Sequence, residues 1–199
     1  ETGGLKNTGG GQDQFAAAFG GLQGLRFAGG HVTRRALRLA PATLAALNGG
    51  LLLCYSGTAH VSGALLAELV RRYQAGDPAT LAHLRRLREL AGQVEAVLEG
   101  AALGRLGPLL TANWQAFRSF HPTIATPAID TIFRVARAAG ATGGKATGAG
   151  GGGCVLLASE LTDRERVAGA LQAAGFLLIP FQFVGEGVTV VDAPPLAPP

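Results

Sequence analysis

Apolar and polar positions follow two rhythms along this chain, and the switches between them predict its elements. Residues 15–30 (FAAAFGGLQGLRFAGG) read as a short helix and then a strand, and 32–39 (VTRRALRL) alternates loosely as a second strand. Asn48-Gly49 predicts a turn. The apolar run LLLCYSG (51–57), closed by glycine, predicts a buried strand. Four helices are expected next. The first spans 61–75 and is closed by Gly76-Asp77-Pro78. The second is capped by Asp77 and runs to Glu99, with leucines 81, 84, 87 and 90 on one face. The third spans 101–120 and is broken near Gly107-Pro108. The fourth starts at Thr126 with Pro127 in its first turn, buries Ile129, Ile132, Phe133 and Ala136, and ends at Gly140. A long glycine loop, 140–153, leads into a strand at 154–160. Thr162 and Glu165 have the spacing of a capping box for a helix over 162–174. Residues 176–183 and 187–191 predict a last strand pair, and the Pro-rich 193–199 a frayed tail. This order predicts an α+β fold, with helices packed on one face of an antiparallel sheet.

Composition narrows the function classes. The 199 residues suffice for one domain, or one domain and part of another, and can bury a sizeable core. Hydrophobic residues make up 48% and charged residues 15%, which excludes wholesale disorder. The net charge of +4 suits an anionic ligand, but the arginines are dispersed and not interleaved with aromatic residues. That pattern argues against nucleic acid. No apolar run reaches the roughly 20 residues of a membrane span, and no signal peptide is visible, so a cytoplasmic protein is expected. Cys54 and Cys154 sit in apolar runs and read as buried, reduced thiols. The chain starts at Glu1 and contains no Met, which predicts a processed chain or a fragment.

The candidate chemistry centres on GATGGKATGAGGGG (140–153). Gly148 to Gly153 fit G-x-G-x-x-G by letter, but a dinucleotide fingerprint needs a strand before and a helix after, the reverse of the order here. As a Walker loop, Gly144-Lys145 would need Ser or Thr next, and Ala146 stands there. What survives is physical. Gly148, Gly150, Gly151, Gly152 and Gly153 present no side chain to block close approach, so their N–H groups can line an anion site with Lys145 nearby. The plainer alternative is a flexible linker, which would carry more Ser and polar residues.

With these residues in view, the chain resembles a known superfamily. GGKATGAGGGGCVLL (143–157) is similar to the third motif of the GHMP kinases, and GGGQDQFAAAFGGL (9–22) to the segment carrying their catalytic aspartate. LLLCYSGTAHVSG (51–63) and the stretch 113–141 also fit, and the resemblance is strongest to the heptose-phosphate kinase and sugar kinase branch. It implies a ferredoxin-like C-terminal domain at 41–192, a remnant of the N-terminal domain at 1–40, and the tail. It implies Asp13 as the catalytic residue, Gln12 and Gln14 as substrate-binding neighbours, and Lys145 with the five glycines as the phosphate site. Without the resemblance, Asp13 reads as a helix N-cap. ATP and Mg2+ are the implied cofactors and a sugar or sugar phosphate the acceptor, with a dimer or a complementing N-terminal chain as partner.

The resemblance also implies absences. The family's main ATP-phosphate loop and its metal ligands lie upstream of the catalytic aspartate, and only 12 residues precede Asp13 here. No metal ligand is therefore assigned, and this chain alone is expected to lack kinase activity. The competing expectation is a non-catalytic ligand-binding or scaffold module. Two family cations are also missing: His60 stands where heptose-phosphate kinases have Arg, and Trp114 is followed by Phe117-Arg118 in place of Lys-Arg. The plain reading of His60 is a loop residue. Residues Phe15, Phe19, Leu22 and Phe27 are expected to leave apolar surface exposed.

Overall fold

A computed structural model describes residues 11–58 and 63–189. Helix α1 (Gln12–Phe19) leads into the hairpin β1 (Leu22–Ala28) and β2 (His31–Leu37). Helix α2 (Pro41–Gly50) runs straight into β3 (Leu51–Tyr55). Then come α3 (Gly63–Gln74), α4 (Pro78–Glu99), α5 (Leu106–Arg118) and α6 (Pro127–Ala138), with short 3-10 turns at Leu103–Arg105 and Pro122–Ile124. Strands β4 (Ala141–Ala146) and β5 (Cys154–Ser159), helix α7 (Arg164–Ala173) and β6 (Leu177–Ile179) complete the order.

The main sheet has the strand order β4-β5-β3-β6, antiparallel throughout. With crossovers through α3–α6 and through α7, this is the ferredoxin-like split βαβ arrangement. Alternation along the strands sends Leu52, Cys54, Val155 and Leu157 to one face. There they meet Trp114 of α5, Ile129, Ile132 and Ala136 of α6, and Val167 and Leu171 of α7. Leu51 and Ala158 point the other way, into a second cluster with Leu47 of α2, Leu90, Val97 and Leu98 of α4, and Leu106 of α5. Among the described residues, no helix is long and apolar enough to cross a membrane.

Several elements differ from the expectation for local physical reasons. Asn48-Gly49 makes no turn. It closes α2, which Pro41 starts at a position needing no amide, and Asn48 Oδ1 accepts the Phe183 amide at 3.0 Å. Gly107-Pro108 does not break the third helix, because both sit in the first turn of α5, where amides have no helical acceptor to lose. On α4, Leu84 turns to solvent while Leu90 is fully buried, so the expected leucine face is only partly the packed one. The capping box of α7 does not form: Asp163 is the N-cap without a side-chain bond to the helix amides, and it pairs with Arg166 at 2.8 Å. The last strand pair shrinks to Leu177–Ile179, since Pro180 has no amide to continue the ladder. Phe181 and Phe183 fold onto the second cluster instead. Residues 187–189 are not a strand, and the Val188 amide donates to Ala17 O of α1 at 2.9 Å. Residues 190–191 and the tail lie outside the described residues, as does His60.

The largest revision concerns the glycines. The first half of the expected loop is strand β4, paired with β5 from Ala141 to Ala146. Its glycines serve packing. A Cβ on Gly143 would come 2.0 Å from Gly107 O of α5, and one on Gly107 would come 2.3 Å from Thr142 Oγ1. Two facing glycines therefore let the helix and the strand touch backbone to backbone.

Around the hairpin, none of Phe15, Phe19, Leu22 and Phe27 is buried; Phe19 is 47% and Phe27 52% exposed. The Phe15 ring stacks on Phe19 and meets Phe27 edge to face, with the Arg34 guanidinium over Phe19. Arg35 ties β2 to Glu95 and Glu99 of α4.

Candidate phosphate-binding site

The shortened loop, 147–153, is the turn between the adjacent strands β4 and β5. Its glycines are demanded by backbone geometry: Gly148, Gly150, Gly151, Gly152 and Gly153 all have positive φ, between +65° and +150°. Side chains rarely tolerate that region, and a linker would have no need of it in five of six positions. Gly150 is additionally wedged, since its Cβ would lie 2.6 Å from Ile124 Cγ2.

Three contacts hold the loop. The Gly151 amide donates to Ile124 O, the Gly153 amide to Thr58 O, each at 2.8 Å, and Ser56 N–H donates to Gly153 O at 2.9 Å. Thr147 closes the base through its amide and its hydroxyl, both donating to Cys154 O. The loop is thus clamped between the 3-10 turn Pro122–Ile124 and the segment after β3. The amides of Gly148, Ala149, Gly150 and Gly152 donate to no backbone carbonyl among the described residues. Native chains pair nearly all buried amides, and Gly150 and Gly152 are buried. A concave run of unspent N–H donors is what an anion cradle requires.

Lys145 lies on β4, two residues before the loop, with its Nζ donating to Ala146 O at 2.9 Å. Burial holds its pKa below the ordinary 10.5. The charged form is penalised in the native state, so the unfolded chain binds more protons between the lowered native pKa and 10.5. Stability therefore rises with pH across that window. Lys145→Met should raise Tm at pH 7 by about 2–4 °C, the effect of about 1 kcal/mol on a chain of this size. That gain should shrink near pH 10.5. A lower Tm for the variant at both pH values would show that burial is not penalising the ammonium.

The structure places Asp13 in the first turn of α1, exposed, two residues inside an N-cap that is Gly11. The N-cap reading of Asp13 is therefore wrong. Gln12 and Gln14 flank it and are exposed. Helix α1 accepts the Val188 amide at Ala17 O, the Gly21 amide after it donates to Val184 O, and α1 shares no hydrogen bond with the glycine loop among the described residues. No three His, Cys, Asp or Glu side chains converge among the described residues. Both thiols are free. Burial pushes Cys54 up to about 11 and raises Cys154 as well, so neither is an activated nucleophile. Sequence reasoning missed Ser56, Thr58 and Ile124 as the loop's anchors.

Residues 93–176, from within α4 to the end of α7, match the family described as GHMP kinases C terminal. The matched segment holds the whole glycine loop and its helix-side packing. Over 181 residues, 90% of its length, the chain is 25% identical to the D-glycero-alpha-D-manno-heptose 7-phosphate kinase of Campylobacter jejuni, covering 53% of that protein. The fold matches a D-glycero-D-manno-heptose 1-phosphate kinase from Bacteroides thetaiotaomicron with a TM-score of 0.68 and 24% identity, over 94% of this chain and 50% of that one. It also matches L. major mevalonate kinase, solved with R-mevalonate, with a TM-score of 0.71 and 23% identity, over 86% of this chain and 50% of that one. The chain spans about half the length of these relatives.

Proposed function

We propose that this chain is the C-terminal portion of an ATP-dependent GHMP-type kinase that phosphorylates a hydroxyl of a sugar or sugar phosphate. The observation carrying this reading is the clamped glycine loop, with five positive-φ glycines and four amides that no backbone carbonyl takes up among the described residues. Phosphoryl transfer needs charge neutralisation and positioning more than covalent help, and backbone donors supply both. Gly148 and Gly150–Gly153 would take phosphate oxygens, with Lys145 adding charge. Asp13 would accept the acceptor's proton as its oxygen bonds to the transferred phosphorus and the bond to the nucleotide's leaving oxygen breaks. Gln12 and Gln14 would orient the acceptor. In this reading 1–40 belongs with the N-terminal domain and 41–192 is the C-terminal domain. The described residues offer no cluster that fits Mg2+, so no step is derived through a metal. A dimer, or an N-terminal segment on the same or another chain, would complete the site, and the enzyme would work in the cytoplasm.

The test is ADP release from ATP with heptose, heptose phosphates and mevalonate as acceptors. It is measured on this chain alone and on the full polypeptide its gene encodes. Activity is expected only for the complete polypeptide, and most strongly with a sugar or its phosphate. If the complete polypeptide binds ATP but transfers phosphate to no acceptor in the panel, the alternative stands: a non-catalytic ligand-binding or scaffold module.

A further inference from the structure

A cavity of about 530 Å³ lies between α5 and α6 over the start of β4, a size typical of small-molecule sites. Its inner wall is apolar, with Ala136, Ala141 and Leu157 beside the stacked rings of Trp114 and Phe133, whose centroids are 5.6 Å apart. Its polar side is cationic, because helical spacing brings Arg118 of α5 and Arg134 and Arg137 of α6 to the same opening. Arg118 is engaged by Asp130 at 3.0 Å. Arg134 and Arg137 form no ion pair among the described residues. The set carries three guanidinium charges against one carboxylate.

Trp114 also gives the wall a reporter. Trp114 is 3% exposed and lines the cavity, and its Nε1–H has no acceptor among the described residues. Two flat rings and a cationic rim together describe a complement for a flat body with an anionic head.

The glycine loop is elsewhere. Strand β4 enters the cavity wall at Ala141 and Gly143 and reaches the loop only after Ala146. At about 3.3 Å per residue, the two places are roughly 13–20 Å apart.

We propose that this cavity is a second ligand site, distinct from the glycine loop, for a flat organic anion with a phosphate or carboxylate head. The aromatic pair and Leu157 take the body, and Arg134 and Arg137 take the head.

Trp114 is the only tryptophan in the chain, so its indole N–H gives a single resonance that reports on this cavity. The probes are 1-naphthyl phosphate and 1-naphthoate, which differ in the head. The controls are 1-naphthol, which lacks the charge, and inorganic phosphate, which lacks the body. Titration of the 199-residue chain by calorimetry and NMR should give saturable binding of one or both anions, with the indole resonance shifting as the naphthyl ring packs beside Trp114. The better head identifies the class. Naphthol should bind at least about tenfold more weakly, and phosphate should leave the indole resonance in place. The double variant R134A/R137A removes exposed side chains, so Tm should hold, while anion affinity falls about tenfold or more. Equal affinity for naphthol and naphthyl phosphate would overturn the proposal, and that comparison needs no variant. So would an unchanged indole resonance at saturation. So would affinity that survives R134A/R137A but is lost on Arg34→Ala, which would move binding to the phenylalanine patch of the hairpin.

Discussion

On the proposed function, replacing Asp13 with Asn in the full polypeptide is expected to lower phosphoryl-transfer turnover by about 10²–10⁴-fold, the usual contribution of a general base, with little change in ATP affinity. The substitution keeps the size and removes the carboxylate. Asp13 is exposed and caps no helix end, so its replacement should not unfold the chain. Surface changes away from caps and cores usually stay within about 0.5 kcal/mol. Gly150→Val is the contrasting variant. Its φ of +72° and its 2.6 Å approach to Ile124 mean that a side chain must distort the loop. Nucleotide affinity should fall with it, as befits a damaged cradle. Asp13→Asn, by contrast, should look like a lost transition-state interaction. Near-normal turnover of Asp13→Asn on its true acceptor would remove Asp13 from the mechanism.

Gly143→Ala is expected to be the most destabilising small change in the sheet. A single methyl would have to occupy a position 2.0 Å from a carbonyl oxygen of α5, which only separation of the helix from the strand relieves. Overpacking costs about 1–3 kcal/mol, and the rigidity of both backbones puts this case at the upper end or beyond. A fall in Tm of about 6–12 °C follows. Gly92→Ala provides the opposite sign. Gly92 lies inside α4 with nothing within 4 Å of its added Cβ, so alanine should stabilise by about 0.5–1 kcal/mol. Thermal unfolding of both variants decides the matter: if Gly143→Ala melts within 2 °C of the parent, the backbone contact between α5 and β4 is not holding the sheet edge.

What the sequence disclosed follows from where information is local. Strand β3, helix α6 with its Thr126 cap, and the Asp77 cap of α4 were legible because each carries its own periodicity and start signal. The glycine stretch reads as one loop in the sequence, and only its second half is a loop. Nothing in GATGGK distinguishes glycines needed for a positive φ from glycines needed for contact with a helix 36 residues earlier, at Gly107. Helix α2 was hidden by Asn48, a turn-former locally, whose side chain is spent on an amide 135 residues later. The loop's anchors at Thr58 and Ile124 use main-chain carbonyls, which every residue has, so no side-chain pattern could announce them. The exposure of Phe19 and Phe27 was expected from the resemblance, which assigns the strand partners of this segment to the N-terminal domain.

The strand order has a consequence for how the molecule is made. Strand β3 sits between β5 and β6, and Leu52 pairs with Leu157, 105 residues further along. At about 5–20 residues per second, a nascent chain presents LLLCY for roughly 5–20 s before its partners are synthesised. The glycine loop cannot close until that pairing forms, since Gly153 is anchored to Ser56 and Thr58 beyond β3. The glycine loop would then be among the last features to mature. The apolar run that supports it would spend the interval exposed to aggregation and in need of chaperone protection.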